Sequence, residues 1–191
     1  MKYCKLYAIM LIIILLTGCS SNISITKVKK DLQSENLQTR IDALYVLKYI
    51  GPKPWVLIEL CDALSDEDIN IRILAAQVLN SMGEKAESTK LSLIGALKDK
   101  ESAVRHAAVL AIGKVVRPSE SVEIIMGVLD DDDPIVRCGA CTALVEIGKE
   151  AIIALLRLEN IANNDSYQNP RNLKYTVREY AKEAVRKIRG K

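Results

Sequence analysis

A stretch of nine residues recurs four times along this chain: TRIDALYVL (39–47), IRILAAQVL (71–79), VRHAAVLAI (104–112) and VRCGACTAL (136–144). A fifth, more distant copy is VREYAKEAV (177–185). Each opens on a small or β-branched residue, then Arg, with Ala three positions later. The arginines are Arg40, Arg72, Arg105, Arg137 and Arg178, spaced 32, 33, 32 and 41 residues apart. Self-similarity at such a period marks a stacked array of supersecondary units, none of which can bury its apolar face alone.

Each unit reads as two helices. The Arg-containing stretch is helix B, with apolar residues at −1, +3, +7 and +10 from the Arg, a stripe at helical period. In the second copy these are Ile71, Ala75, Leu79 and Met82. Ala at +3 (Ala43, Ala75, Ala108, Ala140, Ala181) leaves room for a neighbouring helix to approach. Helix A is read in WVLIELCDAL (55–64), STKLSLIGAL (88–97), SVEIIMGVL (121–129) and EAIIALLRLE (150–159), and a short A-like piece around Val28–Leu32 serves as a terminal cap. Between A and B lies an acidic turn: SEN (34–36), DED (66–68), DKE (99–101) and DDDD (130–133). Asp or Asn there caps helix B and favours the positive end of its dipole. Asp133-Pro134 fits an N-cap followed by Pro at the first helical position. Gly51, Gly83 and Gly148 stand where a left-handed C-cap is expected. The third unit has Val116 in that slot and Gly113 three residues early, which predicts a less regular helix end. The recurrence of Arg beside an acidic turn predicts a ladder of Arg–carboxylate bonds between units.

These features resemble HEAT-like repeats, in particular the short Arg-containing kind associated with phycobilisome bilin lyases, over about residues 31–190. The resemblance implies an all-α fold, an α-solenoid of about five two-helix repeats. It also implies a curved stack whose B helices line the concave side, usually a protein-binding surface. Residues 163–172 (NNDSYQNPRN) insert a polar loop that accounts for the 41-residue gap. Lys182, Arg186, Lys187 and Arg189 on the last helix suit a polar end cap.

The amino terminus reads as a targeting segment, with a signal peptide over 1–18. Lys2 and Lys5 precede an apolar run, Leu6–Leu16, of 11 residues, shorter than the roughly 17–25 that span a bilayer. It ends in Leu16-Thr17-Gly18-Cys19, which resembles the lipobox of bacterial lipoproteins. That resemblance implies cleavage before Cys19 and acylation of its sulfur, giving two or three chains, enough for stable anchoring. Residues 19–30 then form the lipidated Cys and a tether. Ser20 and Ser21 after the Cys imply outer-membrane sorting in a host with two membranes.

The net charge of +3 hides a polarity. Residues 31–159 carry 14 Lys and Arg against 21 Asp and Glu, whereas residues 160–191 carry 8 against 3. An acidic array argues against a nucleic-acid groove. The B-helix positions +1, +5 and +8 form a weakly polar stripe beside the apolar one, with Ile41, Ile73, His106 and Cys138 at +1 and Tyr45, Gln77, Leu110 and Thr142 at +5. On it only His106 and Lys48, at +8, can carry positive charge, and it has no acid. This stripe is the expected contact surface for a protein or peptide partner. Cys138-x-x-Cys141 has the spacing of a redox or metal half-site but lacks a second pair, and a zinc site needs four ligands. The DDDD run does not reproduce a calcium loop. No catalytic motif or cofactor fingerprint appears, so neither a catalytic residue, a metal nor a cofactor is assigned. The expected function is a lipid-anchored, extracytoplasmic scaffold without enzymatic activity. A bilin-lyase-like role and an envelope assembly factor are the alternatives.

Overall fold

The computed structural model describes residues 24–165 and 176–190. The helices are α1 (Ile25–Leu32), α2 (Leu37–Ile50), α3 (Pro54–Ala63), α4 (Ile69–Met82), α5 (Lys90–Ala96), α6 (Ser102–Val115), α7 (Pro118–Val128), α8 (Pro134–Ile147), α9 (Leu155–Asn164) and α10 (Val177–Ile188). The described residues contain no strand, and the chain is an α-solenoid of two-helix repeats. Helices α2, α4, α6, α8 and α10 are the B helices. The first four are 14 residues long each.

The A helices depart from the expected bounds in two units. Gly83–Thr89 and Gly148–Ala154 are 3₁₀ segments leading into α5 and α9. In both, the chain turns directly out of a B helix at a glycine, without a proline to start a new α-helix. Pro54 and Pro118 at the first turn of α3 and α7 supply that start in the other two units. The tether expected over 19–30 is likewise corrected. From Ile25 it is helical, capped by Ser24, and Val28 is buried in the core. The lipobox, Cys19 and most of the expected 163–172 loop lie outside the described residues.

Helix starts follow the acidic turns with one exception. Asn36, Asp68 and Asp133 cap α2, α4 and α8, each accepting from a first-turn N–H. Glu101 precedes α6 without such a bond, and Asp99 instead accepts from the Glu101 N–H at 2.9 Å. Gly51, Gly83 and Gly148 have positive φ (81°, 58° and 78°) with extended ψ rather than the left-handed helical value, a region essentially reserved for glycine. Val116, at φ −95°, ends α6 in extended backbone, and α6 is as long as its counterparts, so the expected irregularity is absent. Gly113 has another use. A Cβ there would stand 3.0 Å from the Ala143 Cβ, so its bare backbone lets α6 and α8 touch.

The core is one continuous aliphatic cluster running through all units. Leu60, Leu93, Ile125 and Leu158 occupy the same place in successive A helices and are fully buried. Leu47, Leu79, Ile112 and Leu144 do the same at +7 of the B helices. Burying each contributes roughly 1.5–3 kcal/mol relative to exposure. The +3 alanines are all buried, and the B helices pack flank to flank from unit to unit more closely than the A helices. The B row is therefore the inner side of the stack.

Each of the first four repeated arginines joins two units. Arg72 Nε and Nη2 meet the Asp99 carboxylate at 2.8 and 3.2 Å, while Nη1 donates to the Asp66 and Glu67 carbonyls of its own turn. Arg105 does the same with Asp131, at 2.8 Å for both bonds, and with the Asp99 carbonyl. Arg137 pairs with Asp165 at 2.9 and 3.3 Å. Arg40 reaches Asp66 more loosely, at 3.3 Å, and its Nε has no hydrogen-bond acceptor. Arg178 donates to the Asp165 carbonyl. The Arg105 hydrogen bond is the main reason the Asp131 carboxyl lies below its ordinary pKa, burial opposing.

Two substitutions test this packing. Arg105→Ala strands a nearly buried Asp131 and should cost on the order of 3 kcal/mol in a urea melt. The Asp131 contribution is present above the unfolded carboxyl value of 3.8 and is lost as pH falls through its lower folded value, so the Ala variant should be the less acid-sensitive of the two. Gly127→Ala, where a new Cβ meets nothing within 4 Å on an exposed helix face, should stabilise by about 0.5–1 kcal/mol. If Gly127→Ala destabilises, the packing described for α7 is wrong.

Candidate binding surface

The inner face is built from the residues of the B helices that point away from the A layer. Of the stripe expected from sequence, Tyr45 and Gln77 are exposed, and Ile41, Ile73, His106, Leu110, Cys138 and Thr142 are half-buried. The structure does not gather all eight. Ile73, Gln77, His106 and Leu110 line one hollow of about 290 Å³ between α4 and α6. Ile41 and Tyr45 lie outside it towards the amino end, and Cys138 and Thr142 towards the carboxyl end. Thr142 Oγ1 donates to the Cys138 carbonyl at 3.0 Å, so its hydroxyl is spent inside its own helix.

Asn80, at +8 of the stripe and one turn beyond Gln77, lines the same hollow. Two walls escaped the stripe: Ser102 and Ala103 come from the first turn of α6, and Ile135 closes one side from α8. The row two positions before each Arg was the available signal: Gln38 and Asn70 give way to Ala103 and Ile135, polar to apolar. Ile135 remains 59% exposed, a large side chain held at the rim.

His106 is set by a second departure from the repeat. A Cβ on Gly139 would stand 2.6 Å from the His106 Cδ2, so the imidazole lies against bare backbone of the next unit. The equivalent positions are Asp42, Leu74 and Ala107. Glycine inside a helix costs roughly 0.5–1 kcal/mol relative to Ala, and here it makes space for the ring. Neither ring nitrogen has a hydrogen-bond partner among the described residues. Burial lowers the imidazole pKa below its usual value, with Asp133 opposing in part, so the ring is neutral at pH 7. The Asn80 Oδ1 is shielded from solvent and also takes no hydrogen bond.

Elsewhere the hollows are charged. One of about 560 Å³ is lined by Asp66, Glu67, Arg72, Lys98, Asp99 and Lys100, among other residues, and its Arg72–Asp99 bond belongs to the ladder. Burial pushes the Cys138 thiol up to about 11 and that of Cys141 up to about 12. Both are free, and such thiols are poor nucleophiles at neutral pH. Among the described residues no group of three or more His, Cys, Asp or Glu could hold a metal ion, and no helix is long and apolar enough to cross a membrane.

The fold and this face define a class: a stack of two-helix repeats with an open inner surface. Residues 91–173 match the family model for HEAT repeats. The chain is 27% identical over 118 residues to the bilin biosynthesis protein MpeU of Synechococcus sp. (strain WH8020). That alignment covers 61% of this chain and 39% of MpeU, so the chain spans about two-fifths of that relative's length. Among solved structures, a chain in the complex of CpcE and CpcF of phycocyanin lyase from Nostoc sp. PCC7120 superposes with TM-score 0.65 at 17% identity. The match covers 84% of this chain and 97% of that one. An engineered protein superposes with TM-score 0.57 at 21% identity, covering 85% and 78%. At these identities the two structures show the shared fold.

The imidazole supplies a test in solution. Its folded pKa lies below the unfolded value of 6.5, so the fold favours the neutral ring. That contribution is complete above pH 6.5 and is lost as pH falls through the folded value. The urea midpoint should therefore decline from pH 6.5 to 5, and His106→Leu should flatten this step. A slope unchanged in the variant would assign the effect elsewhere, although His106 is the single histidine of the chain.

Proposed function

We propose that this chain is a HEAT-like binding scaffold whose inner B-helix face holds a protein partner. The observation that carries this reading is the inner face itself: an open hollow with apolar walls and three polar side chains (Gln77, Asn80 and His106) that make no hydrogen bonds among the described residues. Apolar lining with a few convergent polar groups is the usual composition of a recognition site. Catalysis by these groups is disfavoured. The Cys138 and Cys141 thiols, pushed up to about 11 and about 12 by burial, are poor nucleophiles at neutral pH, and the His106 ring has no hydrogen-bonded group among the described residues to orient it.

A second reading is a part in bilin handling, favoured by the similarity to MpeU and to the lyase chain. In that setting the scaffold role still fits, since the lyase structure is itself a two-component complex. Tyr45 does not join His106 in a deep cavity, and no carboxylate faces the ring inside the hollow. The chain would then hold an acceptor protein or a second component, with the bilin chemistry done elsewhere.

The scaffold is proposed to be tethered to a membrane by a lipidated Cys19, on the extracytoplasmic side. The support is the Leu16-Thr17-Gly18-Cys19 match and the preceding basic and apolar segments. An envelope assembly role remains compatible with this location.

Three measurements separate these readings. Photo-crosslinking residues placed in living cells at Tyr45 and Gln77 should yield protein adducts, and the same residue at Leu91 on the outer face should not. Equal yields from both faces would remove the inner face as the binding surface. Cys19→Ala should shift the protein from the membrane to the soluble fraction; unchanged retention would end the anchoring proposal. Biliverdin added to the purified chain should leave the visible circular dichroism flat if the bilin chemistry is done elsewhere, and an induced spectrum would overturn that division of labour.

A further inference from the structure

The hollow between α4 and α6 differs from every other concavity described above in having no charged wall. Its only titratable group is His106, which burial keeps neutral. At about 290 Å³ it lies at the lower end of the 300–1,000 Å³ range of ligand pockets, room for one large side chain rather than for an extended cofactor. Ile73, Leu110 and Ile135 supply apolar walls. Asn80 lines the hollow, and its Oδ1, shielded from solvent and without a donor among the described residues, carries an uncompensated desolvation cost that a donor on an occupant would relieve. The His106 ring offers one further donor and one acceptor, and it is held in place by the matched Gly139.

We infer that this hollow receives a tyrosine or tryptophan side chain from an uncharged segment of a partner protein, its O–H or N–H donating to Asn80 or His106. The inference rests on the inner face being the binding surface, and it names what that surface selects. Electrostatics sets the sign of the choice: a charged side chain entering the hollow would lose its hydration with no opposite charge among the lining residues, Asp133 acting on the His106 ring only from outside the lining. Aromatic side chains with a polar tip suit such a place, with a large apolar body and one hydrogen-bonding group, and they are the residues that most often anchor interfaces. Exposed Tyr45 and Tyr49 on the neighbouring α2 add aromatic surface towards the amino end, beside the exposed Lys48.

The single histidine makes this testable without knowing the partner. The full-length chain in detergent micelles is titrated with N-acetyltryptophanamide and N-acetyltyrosinamide while the His106 Cε1–H resonance is followed by NMR. Both should give a saturable shift. N-acetylphenylalaninamide, which lacks the ring donor, should bind about tenfold more weakly, the value of one hydrogen bond. N-acetylargininamide should give none. Asn80→Leu, with its helical circular dichroism unchanged, should abolish the preference for tryptophan over phenylalanine. No saturable shift from either aromatic amide, or an equal response to the arginine amide, overturns the inference. Equal binding of phenylalanine overturns the donor bond. Crosslinks at Gln77 with a silent titration would leave the binding face standing and remove the aromatic anchor. A saturable titration with no crosslinks would keep the anchor pocket and remove the scaffold reading.

Discussion

A guanidinium held at two ends is what the rest of this structure depends on. Nη1 of each inner Arg takes the carbonyls of the turn that precedes its own helix, and Nε with Nη2 takes a carboxylate from the turn of the next unit. The first contact ties helix B to its turn, and the second sets the distance and angle between units. Arginine alone offers the planar fork that such a double engagement needs; lysine would provide a point charge without direction. Because the ions are mostly out of water, the rung contributes more to geometry than to net stability. The aliphatic cluster supplies the stability, and the ladder decides which stacking of similar helices it is spent on.

Close approach is the other constraint. The buried +3 alanines, together with Gly113 against Ala143 and Gly139 against His106, bring the B helices nearer than larger side chains would permit. This makes the B row the inner curve and places the varying residues beside the alanines on one continuous face. His106 and Gly139 illustrate how a site is made within that frame. Two neighbouring units abandon the repeat together, one gaining a ring and the other losing its side chain, and the result is a neutral hollow in an otherwise charged molecule.

Much of the architecture was legible because repetition samples the same physics several times. Arg40 through Arg178 could be aligned, and their alignment exposed the Ala, Gly and Asp positions that carry each unit. The misreadings came where a single unit was asked to speak for itself. Gly113 looked like a displaced cap, and its role is visible only with Ala143 across from it. The helical start at Ile25 was hidden by a basic, polar-looking stretch in which Val28 alone is buried. The site was half legible. Ile73, Gln77, Asn80, His106 and Leu110 fall on the stripe that periodicity marks, whereas Ser102, Ala103 and Ile135 enter from a helix start and from another unit, and no one-helix projection brings them together.

The reach of the ladder has a kinetic meaning. Its carboxylate partners lie 26, 27, 26 and 28 residues along the chain, never further than the adjoining unit. Closing contacts of that span costs little loop entropy, and helical proteins dominated by near-neighbour contacts fold in microseconds to milliseconds. A growing chain therefore has every partner of a unit in hand once the following turn has been made. The array can be completed in order from its amino end, each unit becoming the template on which the next one settles.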